Sequence, residues 1–254
     1  MIPDSLQLML RQLRLSGLHQ CLEQRLQEAR GNQLEPLQFL ELVLHDELQV
    51  RRQRQFQRAI KSAQFRDQRT LESFDYSFNS GCDRRAIEEL ATGHFIAEHR
   101  DVLLAGPPGV GKSHLAQALG RCAIRHGHSV LYRSIFDLAR DLADPADSRL
   151  VRDYLKPDLL IIDDMGMKEL TRQGGEALLE IILRRHGLRS TLMTTNRPLD
   201  DWGKLLGDTA SASAILDRLL GSAELIVIKG KSYRLKDRAC KNPDPALSVS
   251  PTRS

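Results

Sequence analysis

Residues 101–126, DVLLAGPPGVGKSHLAQALGRCAIRH, decide how the rest of the chain is read. A short apolar run, Asp101 to Ala105, reads as a buried strand and stops at Gly106. The next eight residues, Gly106-Pro107-Pro108-Gly109-Val110-Gly111-Lys112-Ser113, match G-x-x-x-x-G-K-[ST] in full. A helical stretch from Lys112 to about His126 follows, and Gly127 ends it. In that strand–loop–helix setting the glycines turn backbone N–H groups inward, where a side chain would collide with a phosphate. The helix that follows points its positive end at the same oxygens. Lys112 is then placed to reach the β- and γ-phosphates of a nucleotide, and Ser113 to ligate Mg²⁺. The expected cofactors are ATP and Mg²⁺.

Strand and helix patterns alternate downstream. SVLYRS (129–134), DLLIID (158–163), STLMTT (190–195) and ELIVIKG (224–230) read as further strands. IFDLARDLA, SRLVRDYL, GGEALLEIILRRHG and SASAILDRLLG read as the helices between them. Five apolar strands separated by helices predict an α/β fold, a parallel five-stranded sheet covered on both faces. Leu159 to Asp164 is four apolar residues ending in two carboxylates, and open α/β sheets bind ligands at that strand end. Asp163 is the expected metal ligand, and Asp164 the group that polarises the attacking water. Beside that strand, Asn196 after STLMTT would fall near the γ-phosphate and orient water. Its alternative is a turn or cap role in Asn196-Arg197-Pro198. Arg218, after Asp217 in the helix before the last strand, is a candidate arginine for the γ-phosphate; its alternative is a surface ion pair.

The first seventy residues lack β alternation. Leu6, Leu10, Leu13, Leu18, Leu22, Leu26 and Ala29 recur at helical intervals until Gly31-Asn32, and a second helix follows Pro36 through RRQRQFQRAIKSAQF. FDYSFNSGCDRRAIEELA (74–91) reads as a turn and a short helix joining the two parts. The expected organisation is an all-α N-terminal domain at 1–72, a nucleotide-binding domain at 73–241, and a Pro- and Ser-rich disordered tail at 242–254.

The chain of 254 residues carries 37 Lys and Arg against 33 acids, a net charge of +4. Divided at residues 50, 69 and 228, its segments balance at −3, +6, −4 and +5. Positive charge therefore gathers in two short stretches flanking a slightly acidic body. Each stretch is either a solvated face or a strip that meets nucleic-acid phosphate. No apolar run approaches the roughly 20 residues of a membrane span. The start, MIPDSLQLML, has neither the basic region nor the cleavage site of a secretory signal. Cys21, Cys82, Cys122 and Cys240 match no zinc or redox spacing and read as reduced thiols in a cytosolic protein.

Phosphate loop, paired acids, polar strand end and late arginine, in this order, resemble the AAA+ ATPases, a class of P-loop NTPases. More narrowly the chain resembles the IstB-type helper ATPases of bacterial insertion sequences, relatives of the DnaC helicase loaders. LRLSGLHQCLEQ, FDYSFNSGCDRRAIEELA, GPPGVGKSHLAQALG, LLIIDDMG, TTNRPLDDW and AILDRLLGSAELIVIKGKSYRLKD carry that resemblance, from about Leu13 to Asp237. It implies cofactor-binding residues Gly106, Pro107, Pro108, Gly109, Val110, Gly111, Lys112, Ser113, His114 and Arg234, and metal ligands Ser113 and Asp163. It also implies catalytic roles for Asp164, for Asn196 as first sensor, and for Arg218 as a finger acting on a neighbouring subunit. Asp164 departs from the usual Glu by one methylene, which predicts slow hydrolysis. Only 26 residues follow Ile228, too few for a helical lid domain, so none is expected. The implied function is an ATP-driven, DNA-binding helper that forms a homo-oligomer and recruits or activates the transposase encoded alongside it. A helicase loader, a P-loop small-molecule kinase and an ATP-binding scaffold with little turnover are the alternatives.

Overall fold

The structure, a computed structural model, describes residues 2–143, 148–198, 201–202, 213–214, 217, 221 and 223–235. Arg218, much of the helix expected over 211–221, and the tail from 242 lie outside the described residues. The chain divides into two compact units, residues 1–61 and 62–254.

In the first unit, α1 (Asp4–Gln12) and α2 (Ser16–Gly31) precede the long α3 (Pro36–Ala63). The leucine pattern over 6–29 predicts one helix, whereas the chain breaks at 13–15, where Arg14 takes a φ of 55°. Leu13 of that pattern is left exposed, while Leu10, Leu18 and Leu22 pack together against Val43 of α3, so tertiary packing rather than local spacing sets the break. Pro36 stands at the first position of α3, where its missing N–H costs nothing. The Glu47 carboxylate crosses from α3 to accept the Gly17 and Leu18 N–H groups at 2.6 and 2.9 Å, which satisfies the open end of α2. Arg25 grips Asp46 with Nε and Nη2 at 2.7 and 3.0 Å.

The second unit holds α4 (Arg84–Ala91), whose N-terminus is capped by the Asp83 carboxylate, and the single turn α5 (His94–Ala97). The sheet then forms from β1 (Val102–Ala105), β2 (Val130–Ser134), β3 (Leu159–Met165), β4 (Ser190–Thr195) and β5 (Glu224–Val227). All pairings are parallel, in the order β2-β3-β4-β1-β5. The connecting helices are α6 (Lys112–Arg125), α7 (Ile135–Asp141), α8 (Ser148–Leu155) and α9 (Arg172–Arg185). This is the five-stranded parallel sheet that the sequence predicts.

Both faces of β3 are covered, so Leu159 to Ile162 form an uninterrupted apolar run. Leu160 and Ile162 pack with Leu138, Tyr154, Leu178, Ile181 and Ile182 of α7, α8 and α9. Ile161 points to the other face, where α6 crosses at Gly120; a Cβ there would strike Ile161 and Phe65. The fully buried Arg185 pins the N-terminal strand ends by donating to the Tyr154 and Pro157 carbonyls at 2.9 Å and to Ser190 O. Polar residues that follow the strands therefore gather at the opposite, C-terminal edge. Among the described residues no helix is long and apolar enough to cross a membrane.

Candidate functional site

The loop between β1 and α6 is built from positive-φ glycines, Gly106 at 155°, Gly109 at 82° and Gly111 at 100°. Gly111 is also the N-cap of α6. Space as well as conformation excludes side chains here. A Cβ would meet the Ile228 carbonyl at Gly106, the Ser232 hydroxyl at Gly109 and the Phe74 ring at Gly111. The segment after β5 thus laps one side of the loop, where Tyr233 N–H donates to Gly109 O at 2.9 Å. The segment before α4 covers the other, with Asn79 Nδ2 donating to Val110 O at 3.0 Å. Phe78 meets Tyr233 edge-on at 5.1 Å between ring centres.

Lys112 is buried at the start of α6 and folds back over the loop, donating to the Gly106 and Pro107 carbonyls at 2.8 and 2.9 Å. Burial depresses its pKa, against the opposing pull of Asp164 and Asp163. The next residue, Ser113, donates to Asp163 Oδ1 at 3.0 Å. Asp163 is wholly buried at the end of β3 and collects two more hydroxyl donors. Tyr132 of β2 reaches Oδ2 at 2.6 Å, and Thr194 of β4 reaches Oδ1. Burial, then the facing carboxylate of Asp163, raises the Tyr132 pKa, so its phenol stays protonated and donates. Three parallel strands and the phosphate-loop helix converge on one carboxylate.

Asp164 turns out of the strand with a φ of 62°, at a shift in the β3–β4 register between Ile162 and Met165. Its N–H donates to Thr194 Oγ1 at 2.9 Å. The shift sends neighbouring carboxylates to different places, Asp163 inward and Asp164 to the partly exposed rim. Burial and then Asp163 raise the Asp164 pKa, opposed by Arg66, Lys112 and Arg234.

Of the other sequence-predicted residues, Arg234 is exposed in a 3-10 turn (Tyr233–Leu235), and its charge acts on both Lys112 and Asp164. Asn196 stands just past β4, whose Thr195 carbonyl accepts the Gly106 N–H at 3.2 Å. Its side chain is turned to Met167, Nδ2 to Sδ at 3.1 Å, and its buried Oδ1 has no partner among the described residues. The His114 side chain is committed to the preceding segment, with Nε2 at 2.8 Å from Thr70 O and the ring edge-on to Phe74. Burial lowers its pKa, and the carbonyl contact assigns the Nε2 proton. The structure therefore joins Lys112, Ser113, Asp163 and Asp164 in one place, with the Arg234 charge acting on Lys112 and Asp164 from outside. It sets Asn196 at the edge, and Arg218 is outside the described residues.

Sequence reasoning passed over Tyr132, Thr194 and Arg66. The signal for the first two is strand alternation, which puts Tyr132 and Thr194 on the Asp163 side of the sheet once the strand order is known.

The family model for the IstB-like ATP binding proteins matches residues 8–240. The chain belongs to that family. Among its IstB-like relatives, a protein named for ATP binding in insertion sequence IS21 of Pseudomonas aeruginosa is 36% identical over 237 residues, covering 92% of this chain and 89% of that one. A counterpart named likewise in Mycobacterium tuberculosis is 35% identical over 234 residues, covering 90% and 93%. In fold, the IstB-like chain is similar to DnaI, with a TM-score of 0.54 at 21% identity over 63% of this chain and 91% of that one. It is also similar to the AMPPCP-bound DnaA of Aquifex aeolicus, at 0.55 and 22%, over 70% and 56%. The fold is thus that of the AAA+ P-loop proteins, and the chain belongs to a family of ATP-binding proteins.

The donors fit Mg²⁺ as well as ATP. A hydroxyl and a carboxylate 3.0 Å apart offer hard oxygen ligands, and Mg²⁺ takes its remaining ligands from water and phosphate.

Proposed function

We propose that this IstB-like protein is a Mg²⁺-dependent ATPase that binds duplex DNA, assembles with further copies of itself, and recruits or activates a transposase on target DNA. The observation that carries the hydrolytic part is the convergence of Ser113, Tyr132 and Thr194 on the buried Asp163, with Asp164 turned out to the rim. A chain that only held nucleotide has no need of a second, outward carboxylate.

In this reading the loop N–H groups and Lys112 bind the β- and γ-phosphates, with Lys112 exchanging its two carbonyl partners for phosphate oxygen. Ser113 and Asp163 hold Mg²⁺, which when bound neutralises charge on the transferring phosphoryl group. Asp164 orients and polarises the attacking water. Asn196 lies one residue beyond the strand end that touches Gly106, and its amide, released from Met167, would orient water beside the nucleotide. Arg234 contacts nucleotide from the same chain, and Arg218 serves a neighbouring subunit's nucleotide. The helical N-terminal part, 1–72 in this proposal, makes partner contacts, and 73–241 is the ATPase domain. Leu37, Leu40, Leu44 and Leu48 leave an exposed apolar row along α3 that suits such contacts. The +6 balance of residues 51–69 and the +5 balance beyond residue 228 supply the DNA-facing charge. The transposase enters from the insertion-sequence context of the relatives' names.

One assay set tests this. Purified protein should hydrolyse ATP with Mg²⁺, faster with duplex DNA, and Lys112→Ala should abolish turnover. DNA affinity should fall steeply between low and physiological salt, while ATP affinity changes far less. An Arg218→Ala subunit should regain turnover when mixed with Lys112→Ala subunits. A flat salt response would mean that the basic stretches are solvated faces. Co-purification with a replicative helicase instead of the transposase would replace the partner.

A further inference from the structure

Arg66 lies outside every motif of the phosphate loop and the acidic strand, yet its Nη1 is 3.9 Å from Asp164 Oδ2. The chain on either side of it is fastened along α6. Phe65 packs at Gly120 and tilts against Tyr132 with ring centres 6.1 Å apart. The Asp67 N–H donates to Gln117 Oε1 at 2.8 Å, and Gln117 Nε2 donates to Ser113 O at 3.2 Å. Thr70 O receives His114 Nε2 at 2.8 Å. The attachments at Gly120, Gln117 and His114 fall at successive helical turns, so the Arg66 backbone is fixed to the same rod that carries Lys112 and Ser113.

The guanidinium itself is half exposed and lines a cavity of about 310 Å³ with Gln64, Tyr132, Arg133, Asp137, Arg140 and Asp141. The other two arginines there are committed. Arg133 donates to Asp141 at 3.2 Å and to Gln64 at 2.6 Å, and Arg140 donates to Asp137 at 3.0 Å. Both acids of that wall are thereby matched. Among the described residues, Asp164 is the one anion in ion-pair range of Arg66.

Asp164 needs such a partner. Its backbone is held by the Thr194 hydroxyl, but no side-chain donor within hydrogen-bond distance of its carboxylate occurs among the described residues. We infer that Arg66 is a positioning residue for ATP hydrolysis, holding the Asp164 carboxylate in one orientation against the phosphate-loop helix. A single end-on cation is enough for this, since only Nη1 approaches. Asp164 is the carboxylate that orients water in that reading, so Arg66 acts through it. This inference rests on the hydrolytic reading above.

The test is steady-state ATPase kinetics of the full-length protein and its Arg66→Gln, Arg66→Lys and Asp164→Asn forms, with nucleotide affinity measured by a fluorescent ATP analogue. Arg66→Gln should lower kcat on the order of tenfold, with KM and analogue affinity within about twofold of the parent. Arg66→Lys should recover most of the loss, because charge and not a two-pronged grip is used. In single turnover, Arg66→Gln should add nothing to the loss already caused by Asp164→Asn. An unchanged kcat in Arg66→Gln, a parallel loss of affinity, failure of Lys to rescue, or an equal further drop in the Asp164→Asn background would each overturn the inference. If the parent does not hydrolyse ATP, or Asp164→Asn hydrolyses it equally well, the hydrolytic reading fails first and takes this inference with it.

Discussion

Ser113 donates a 3.0 Å hydrogen bond to Asp163, so a hydroxyl at the start of α6 and a carboxylate at the end of β3, fifty residues apart in sequence, form one donor pair. Asp163 keeps Tyr132 and Thr194 when Ser113 is removed, so the strand end retains its hydrogen bonds. Ser113→Ala is therefore expected to fold normally and to shift the Mg²⁺ requirement. Turnover should fall by about 10–100-fold at limiting Mg²⁺ and partly recover at high Mg²⁺. A Mg²⁺ titration of ATPase rate checks this, and an unchanged half-saturating concentration would remove Ser113 from the metal site.

Tyr132 is the orienting group behind that pair. Its hydroxyl donates to Asp163 Oδ2 at 2.6 Å in a fully buried setting, and the ring carries no other partner for Asp163 to use. Tyr132→Phe keeps the packing against Phe65 and removes only the donor. The cost to stability should be about 1–3 kcal/mol for the acceptor left short, with a loss of turnover on the order of tenfold. Thermal unfolding and ATPase rate measured side by side separate the two effects.

Gly111 is constrained twice, by a φ of 100° and by the Phe74 ring that a Cβ would enter. Gly111→Ala should destabilise the protein by roughly 1–2 kcal/mol from backbone conformation alone. That corresponds to a drop in Tm of about 2–8 °C, together with weakened ATP binding. Adding Phe74→Ala relieves the collision but not the backbone strain. The double variant should therefore not regain ATP affinity, and full recovery would assign the whole effect to the ring.

Glu47 makes the first unit acid-sensitive. Burial alone would raise its pKa, but the Leu18 N–H, Arg51 and the Gly17 N–H outweigh it and hold the carboxylate below its usual value of 4.5. Arg25 likewise leads the lowering of Asp46 from 3.8. A depressed folded-state pKa contributes stability that is complete above the unfolded value and is lost as pH falls through the folded one. Hydrogen-exchange protection of the first turn of α2 should accordingly be constant above about pH 5 and decay below 4.5. Glu47→Gln should start with lower protection and lose that pH dependence; a curve identical to the parent would show that the carboxylate is not the cap.

Much of this was legible in the chain as written. The full G-x-x-x-x-G-K-[ST] match between an apolar run and a helix placed the phosphate loop, because conformations open only to glycine and a fixed lysine leave few other residue choices. The apolar runs fixed five strands, because a strand covered on both faces carries no alternation and stands out from its surroundings. The acidic pair was found for the same reason, as two carboxylates at the end of such a run. Tertiary structure alone decided three other matters. It broke the first helix at Arg14, since which leucines share a face depends on α3 lying across them. It gave Asp163 and Asp164, adjacent and alike in sequence, different surroundings, through a register shift that buries one among hydroxyls and turns the other to the rim. It also brought Tyr132, Thr194 and Arg66 to those acids, because strand order and the path of the preceding segment over α6 are long-range facts that no local spacing records.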